Sequence, residues 1–333
     1  MKKIFLSTAI ALSVFSIHSC ERSFEEINTD TSKIKQPSVG SFLVPIQYEM
    51  GSYGYNRADD FTFDIMQVAL DFPNEGNTVS RYYLTESTGN GYWNTSYKWL
   101  KQVKELNESA KKEQNNNYLA ISKVLNAWIM ANLTDAFGDV PMTEALRLEE
   151  NVMKPKYDKQ KDIYLSLLND LKEANTLFDT TKTLTEGDLF FQANASTAGI
   201  IKWKKFCNSL SLRLLTRILN KNGEIDVHAR INEIISNPTV YPIFQSNADG
   251  ATLDISGVAP LMPPIARPQD FTAYRASGGF FTQTLVDNND PRLSMFFTQA
   301  KSLPPANANI GYKGVPSGYA LGSTFDYQPS NLN

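Results

Sequence analysis

Histidine and cysteine are the scarcest chemically active residues here, with two of each among 333 residues. One of each falls within the first 20 positions, which leaves His228 and Cys207 for the rest of the chain. Structural zinc sites draw almost wholly on Cys and His, and nucleophile–base pairs usually need a His. Much metal and nucleophilic chemistry is therefore disfavoured from the outset. Excess positive charge is also missing: 32 Lys+Arg face 35 Asp+Glu, a net −3, which argues against non-specific nucleic-acid binding. H-E-x-x-H, C-x-x-C, P-loop and G-x-S-x-G motifs do not occur. With 42% hydrophobic, 11% aromatic and 20% charged residues, the composition is globular, and a mainly disordered, collagen-like or polytopic membrane protein is ruled out.

The N-terminus reads as a targeting segment. Lys2 and Lys3 precede the apolar stretch at residues 4–17, which is too short to span a bilayer but fits the core of a secretory signal. Ile17-His18-Ser19-Cys20 then resembles the lipobox of bacterial lipoproteins, with His18 as a departure from the usual small residue. Three segments follow from this: a lipoprotein signal peptide over 1–19, an acylated Cys20 and polar tether over 20–40, and a single domain over 41–333. The expected modification is a palmitate-type acyl chain on Cys20. A plain signal peptide with an incidental cysteine is the alternative. Cys207 is then left without a disulfide partner, and its amphipathic setting predicts a buried, inert thiol.

From residue 38 to about 236 the apolar spacing is mainly helical. It predicts helices over 58–72, 92–111, 116–136, 158–178 and 198–221, with Asp158 near the start of the fourth and Gly223 stopping the fifth. Two hairpins are spaced like a repeat, 92–111 with 116–136 and 158–178 with 198–221. The fold class is thus mostly α, with irregular tetratricopeptide-like helix pairs. Beyond about 237, Pro238, Pro260, Pro263, Pro264 and other prolines come with many Gly, Asn and Ser. This stretch reads as a loop-rich cap over the helical body, long helix being expected only at about 279–287.

Candidate chemistry is sparse. Asp135 and Asp139 flank a Gly138-containing turn; bonding backbone N–H groups across it is one reading, and a paired-carboxylate acid/base site the other. Glu186 with Asp188, and Asp287 with Asp290, have the same status. Lys202, Lys204 and Lys205 read as a solvated face, and a lone His228 as structural. Aromatic faces with Asn and Arg, the residues that bind sugars without reacting with them, gather at two places. Asn77, Arg81, Tyr82 and Tyr83 precede the 92–111 helix with Trp93 at its mouth, and Phe271, Tyr274 and Arg275 lie in the cap.

Several stretches resemble the SusD/RagB (SusD-like) family of nutrient-binding outer-membrane lipoproteins. They are Phe24-Glu25-Glu26-Ile27-Asn28 after Cys20; Asp135-Ala136-Phe137-Gly138-Asp139-Val140-Pro141-Met142-Thr143-Glu144-Ala145; Trp203-Lys204-Lys205-Phe206-Cys207-Asn208-Ser209-Leu210; and Asp290-Pro291-Arg292-Leu293. They occur in the family's order over roughly residues 20–320. The resemblance implies helix pairs of tetratricopeptide type, an irregular remainder carrying the ligand surface, no enzymatic activity and no cofactor. It further implies a surface lipoprotein of the outer membrane that captures an oligosaccharide, or in some relatives a peptide, for a SusC-type TonB-dependent transporter. Members usually continue well past the position of Asn333, so the chain is expected to be short at its C-terminus, within the loop-rich part at 237–333. A surface glycan-active enzyme and an adhesin or scaffold built on helix pairs stay open as alternatives.

Overall fold

The structure, a computed structural model, describes residues 37–71, 78–264 and 275–333. Cys20, Asn77, Phe271 and Tyr274 lie outside the described residues. Helix α1 (Leu43–Arg57) buries Leu43, Ile46, Gln47 and Met50, a single stripe at helical spacing. It runs into a π-helical turn, Ala58–Thr62, and one last turn, Phe63–Ile65. A continuous helix over 58–72, as the apolar spacing predicted, does not form. Gln67 takes a left-handed conformation (φ 54°), and the chain leaves the helix to make strand β1 (Ala69–Asp71). A helical turn followed by a strand satisfies the same apolar positions, and Ala69 and Leu70 are buried either way.

Helix α2 (Asn90–Lys112) buries Trp99, Leu100, Val103, Leu106 and Ala110. The chain reverses at Gln114, in left-handed conformation, and Asn115 accepts the Tyr118 N–H at 3.3 Å to cap helix α3 (Asn116–Phe137). α3 is buried on most sides, from Ile121 and Leu125 to Leu133. Each such side chain contributes about 1.5–3 kcal/mol on burial. Gly138 (φ 77°) ends α3, its N–H donating to the Thr134 carbonyl while the Thr134 hydroxyl donates back to the Gly138 carbonyl at 2.6 Å.

A second hairpin is made by α4 (Gln160–Leu177) and α5 (Thr197–Arg217). α3 packs against both α2 and α4, so the two hairpins lie side by side, and α5 continues the layer to α6 (Val227–Ile235). Among the described residues no helix is long and apolar enough to cross a membrane. α5 stops at Arg217, earlier than the spacing suggested, and a 3-10 turn at Leu219–Lys221 separates it from Gly223. Cys207 is fully buried within α5, its Sγ donating to the Leu171 carbonyl at 3.2 Å, and burial pushes its thiol pKa up.

The proline-rich stretch holds helix α7 (Gly279–Asp287), where a helix was expected, and a short turn at Leu293–Phe296. Strand β2 (Arg275–Ser277) pairs antiparallel with β1, Ala69 opposite Ser277, and β3 (Lys301–Ser302) pairs with β4 (Tyr327–Gln328). Leu70, Ala276, Val315 and Tyr319 form a small second core around the first ribbon. Gly278 is obligatory beside it, since a Cβ there would collide with the Gln67 carbonyl. Residues Val39–Asn333 make one compact, mostly α-helical unit.

Candidate functional site

The D-x-F-G-D motif is built as a clasp between the two hairpins. Asp139 Oδ1 accepts the N–H of Gln160, the first residue of α4, at 2.9 Å, and its Oδ2 pairs with Lys159 at 2.7 Å. The Lys159 hydrogen bond holds the Asp139 carboxyl below its usual range. Asp139 therefore caps α4 from outside, the position the sequence suggested for Asp158. Asp158 instead accepts the N–H groups of Met142 and Thr143 at 2.8 and 2.7 Å, and the Thr143 hydroxyl at 2.8 Å. Partial burial pushes its pKa up, but these hydrogen bonds outweigh it and leave the carboxyl below its usual range. Asp135 faces elsewhere: its Oδ1 accepts the Tyr164 hydroxyl at 2.6 Å and its Oδ2 pairs with Arg217 at 2.7 Å. Both motif aspartates thus reach α4, Asp139 at its first residue and Asp135 at Tyr164 together with Arg217 of α5, and their bonds do not run across their own turn.

Asp188 is likewise structural. Buried at 4% exposure, it accepts from the Gln47 amide, the Trp203 indole and the N–H groups of Phe190 and Ala193. Lys205 pairs with Asp249 at 2.8 Å and Lys202 donates to the Ala248 carbonyl, so the basic cluster of α5 pins the 245–249 loop.

Of the two aromatic clusters singled out in the sequence, the described members near Ser80 and Arg275 are both tied to one turn. Gln67, itself buried, donates its amide to the carbonyls of Asp64 and Ser80, both at 2.8 Å. Arg275, 8% exposed, places Nη1 on Asp64 Oδ1 at 2.9 Å. The residues around Ser80 and those around Arg275 are thereby tied to the same turn, although nearly 200 positions separate them. Breaking such a buried pair by removing one partner costs about 3–5 kcal/mol.

Beyond Ser80 the chain turns sharply. Tyr82 adopts the left-handed region (φ 57°), costly for a bulky residue, and its hydroxyl donates to the Ile65 carbonyl at 3.4 Å. Tyr82 and Tyr83 are 55% and 54% exposed, and Arg81 beside them is half-buried. Trp93 is half-buried at the start of α2, 5.1 Å from the Tyr97 ring, edge-on to Phe137 at 5.2 Å and stacked near exposed Tyr157 at 6.2 Å. Tyr97 donates its hydroxyl to the Pro141 carbonyl at 2.7 Å, joining this aromatic row to the motif clasp. Asp64 and Gln67, which position the corner, were missed in the sequence. A buried polar residue bridging distant segments carries no periodicity that would disclose it.

Chemically, the corner offers aromatic faces on a braced turn. Among the described residues no group of three or more His, Cys, Asp or Glu side chains is placed to hold a metal ion.

No curated protein matches the chain. Among solved structures, a SusD homologue from Bacteroides fragilis superposes with a TM-score of 0.69 at 22% identity, covering 90% of this chain and 62% of its own. A chitin-binding protein gives 0.69 at 24% identity, covering 89% and 64%. A chitin-binding SusD homologue from Flavobacterium johnsoniae gives 0.68 at 18% identity, covering 88% and 60%. The chain thus spans somewhat less than two thirds of the length of these structures, whose fold it shares. A family model, SusD-like_2, described as starch-binding and associating with the outer membrane, matches residues 30–333. With that match over most of its length, the chain belongs to the SusD-like_2 family.

Proposed function

We propose that this chain is a cell-surface lipoprotein of the outer membrane, anchored by an acylated Cys20, that binds an oligosaccharide without transforming it. It passes the ligand to a SusC-type TonB-dependent transporter. The observation that carries the reading is the Tyr82–Tyr83 corner, two exposed rings that follow a turn anchored at the Ser80 carbonyl by buried Gln67. A pyranose presents flat C–H faces to such rings, and a fixed turn spares the ordering cost of binding. In this proposal Asn77, Arg81, Tyr82, Tyr83, Trp93, Phe271 and Tyr274 form the ligand surface. Arg275 belongs to it as the buried residue that ties the cap segment to Asp64. Family membership and the chitin-binding neighbours support a glycan ligand.

Calorimetric titration of residues 21–333 with panels of glycans and peptides tests this. Saturable heat with a glycan and no product release is the expected result. Saturation by peptides alone would move the chain to a peptide-binding role in the same position, and turnover of any glycan would make it an enzyme. Co-purification of a transporter with the full chain, and loss of acyl labelling in Cys20→Ala, test the partner and the anchor.

A further inference from the structure

A cleft of about 730 Å³ opens on the helical body, where α1, the π-helical turn, α2 and α3 meet, with Arg217 at the end of α5 beside it. That volume lies within the usual range for small-ligand sites, about 300–1,000 Å³. Its wall is aromatic and ordered. Tyr53 and Tyr92 stack with ring centroids 6.2 Å apart and planes 20° apart, and Tyr92 in turn stacks on Phe137 at 6.3 Å and 20°. Trp99 meets Tyr53 edge-on at 5.2 Å, which fixes the ring from behind. The Arg57 guanidinium lies 3.7 Å from the Phe61 ring centroid, and Phe61 is placed by the π-helical turn, a distortion often found at functional sites.

Polar groups are confined to a few positions, Asn132, Asp135 and Arg217 being among them. Asp135 is held by Arg217 at 2.7 Å and by the Tyr164 hydroxyl at 2.6 Å. An ionised carboxylate has about four acceptor sites and a guanidinium five donors, so such a pair keeps capacity for further hydrogen bonds. The Asn132 amide donates to the Trp128 carbonyl at 2.8 Å, which orients its side chain along α3. A purely apolar ligand would leave the charged pair unused, and a polyanion would meet the Asp135 carboxylate. Near-parallel rings beside a carboxylate–guanidinium pair match a molecule with a flat C–H face and a rim of hydroxyls.

We propose that this cleft is a second saccharide-binding site. It takes a pyranose unit against the Tyr53–Tyr92 wall, with hydroxyls on Asp135, Arg217 and Asn132. The proposal rests on the glycan-binding reading of the chain, but it requires neither Tyr82 nor Tyr83.

Tryptophan fluorescence in a Trp93→Phe background tests it, because Trp99 and Trp128 line the cleft, Trp203 is sealed in the core, and Trp93 belongs to the corner surface proposed above. The detergent-solubilised full chain is titrated with maltohexaose, chitohexaose and cellohexaose. A saturable change with at least one of them is expected, and it should persist in the Tyr82→Ala/Tyr83→Ala variant. Tyr92→Ala should weaken it by about tenfold, the scale of one lost stacked ring. Asn132→Ala, which leaves both the ring stack and the ion pair intact, should also weaken it and guards against a misfolded Tyr92 variant. If the signal instead disappears in Tyr82→Ala/Tyr83→Ala and ignores both cleft variants, the chain has one glycan site at the corner and the cleft is not a second. If none of the three sugars gives a signal or heat, the cleft proposal falls together with the glycan reading.

Discussion

The indole N–H of Trp203 donates to Asp188 Oδ2 at 2.8 Å, and both side chains are buried. The same carboxylate takes the Gln47 amide of α1 and two backbone N–H groups of its own loop, so it joins α1, α5 and the 188–193 loop. A buried donor left unpaired costs about 1–3 kcal/mol. Asp188→Ala is therefore expected to lose about 3 kcal/mol or more in urea unfolding. Asp188→Asn, which keeps one acceptor oxygen, should lose less. A loss below about 1 kcal/mol for the alanine variant would refute this role.

Gly278→Ala tests the β1–β2 ribbon. The new Cβ would land on the Gln67 carbonyl, whose residue also holds Ser80 in place. Overpacking against backbone costs about 1–3 kcal/mol. Amide hydrogen exchange should speed up at Leu70 and Ala276 while the α3–α4 core stays protected. Unchanged exchange in the ribbon would show that the close approach is dispensable.

The Tyr82–Tyr83 corner makes a separable prediction. Tyr82→Ala/Tyr83→Ala should weaken glycan affinity by about tenfold or more, as expected for lost ring stacking. Both rings are largely exposed, so the melting temperature should change little, alanine keeping the Cβ and with it the left-handed strain at Tyr82. Tyr82→Gly is the sharper stability test and should not lower it.

Alkaline stability should depend on Tyr164. Burial, assisted by Asp135, pushes its pKa from 10.0 up to about 12. The folded state thus holds this proton more tightly than the unfolded chain does. The associated stability is complete below pH 10 and is lost as pH rises through about 12. Thermal melts between these pH values should fall less steeply for Tyr164→Phe than for the parent chain. Equal slopes would remove Tyr164 from the alkaline transition.

Cys207 supplies a simple probe of integrity. Its buried thiol, with a raised pKa, should resist a disulfide reagent in the folded chain and react only as urea unfolds it. Rapid labelling under native conditions would mean that α5 opens locally.

The helical hairpins were legible because their signals are local. Trp99 to Ala110 and Ile163 to Ala174 repeat at helical spacing and are buried as that spacing implies. The helix expected over 58–72 failed because Val68, Ala69 and Leu70 satisfy a strand as well as a helix, and the decision was made by a partner at Arg275–Ser277. Asp158 and Asp139 exchanged capping roles for a similar reason, since both lie near α4 and only the path of the clasp decides between them. The cleft was the least visible feature. Tyr53, Phe61, Tyr92 and Trp128 come from separate elements, and each could equally have been core.

The Asp64–Arg275 pair also sets a timetable. Its members stand 211 positions apart, whereas both helical hairpins are complete once Arg217 has been made. At about 5–20 residues per second of synthesis, roughly 10–40 s pass between the two residues. During that interval the pair and the ribbon beside it cannot form, while the hairpin core can already assemble from nearby contacts. The corner carrying Tyr82 and Tyr83 can close early on its local bonds to Gln67 and Ile65, but its link to the cap is among the last parts of the described chain to be fixed. A newly made chain would present a finished helical scaffold before the cap segment joins the surface proposed above for the ligand.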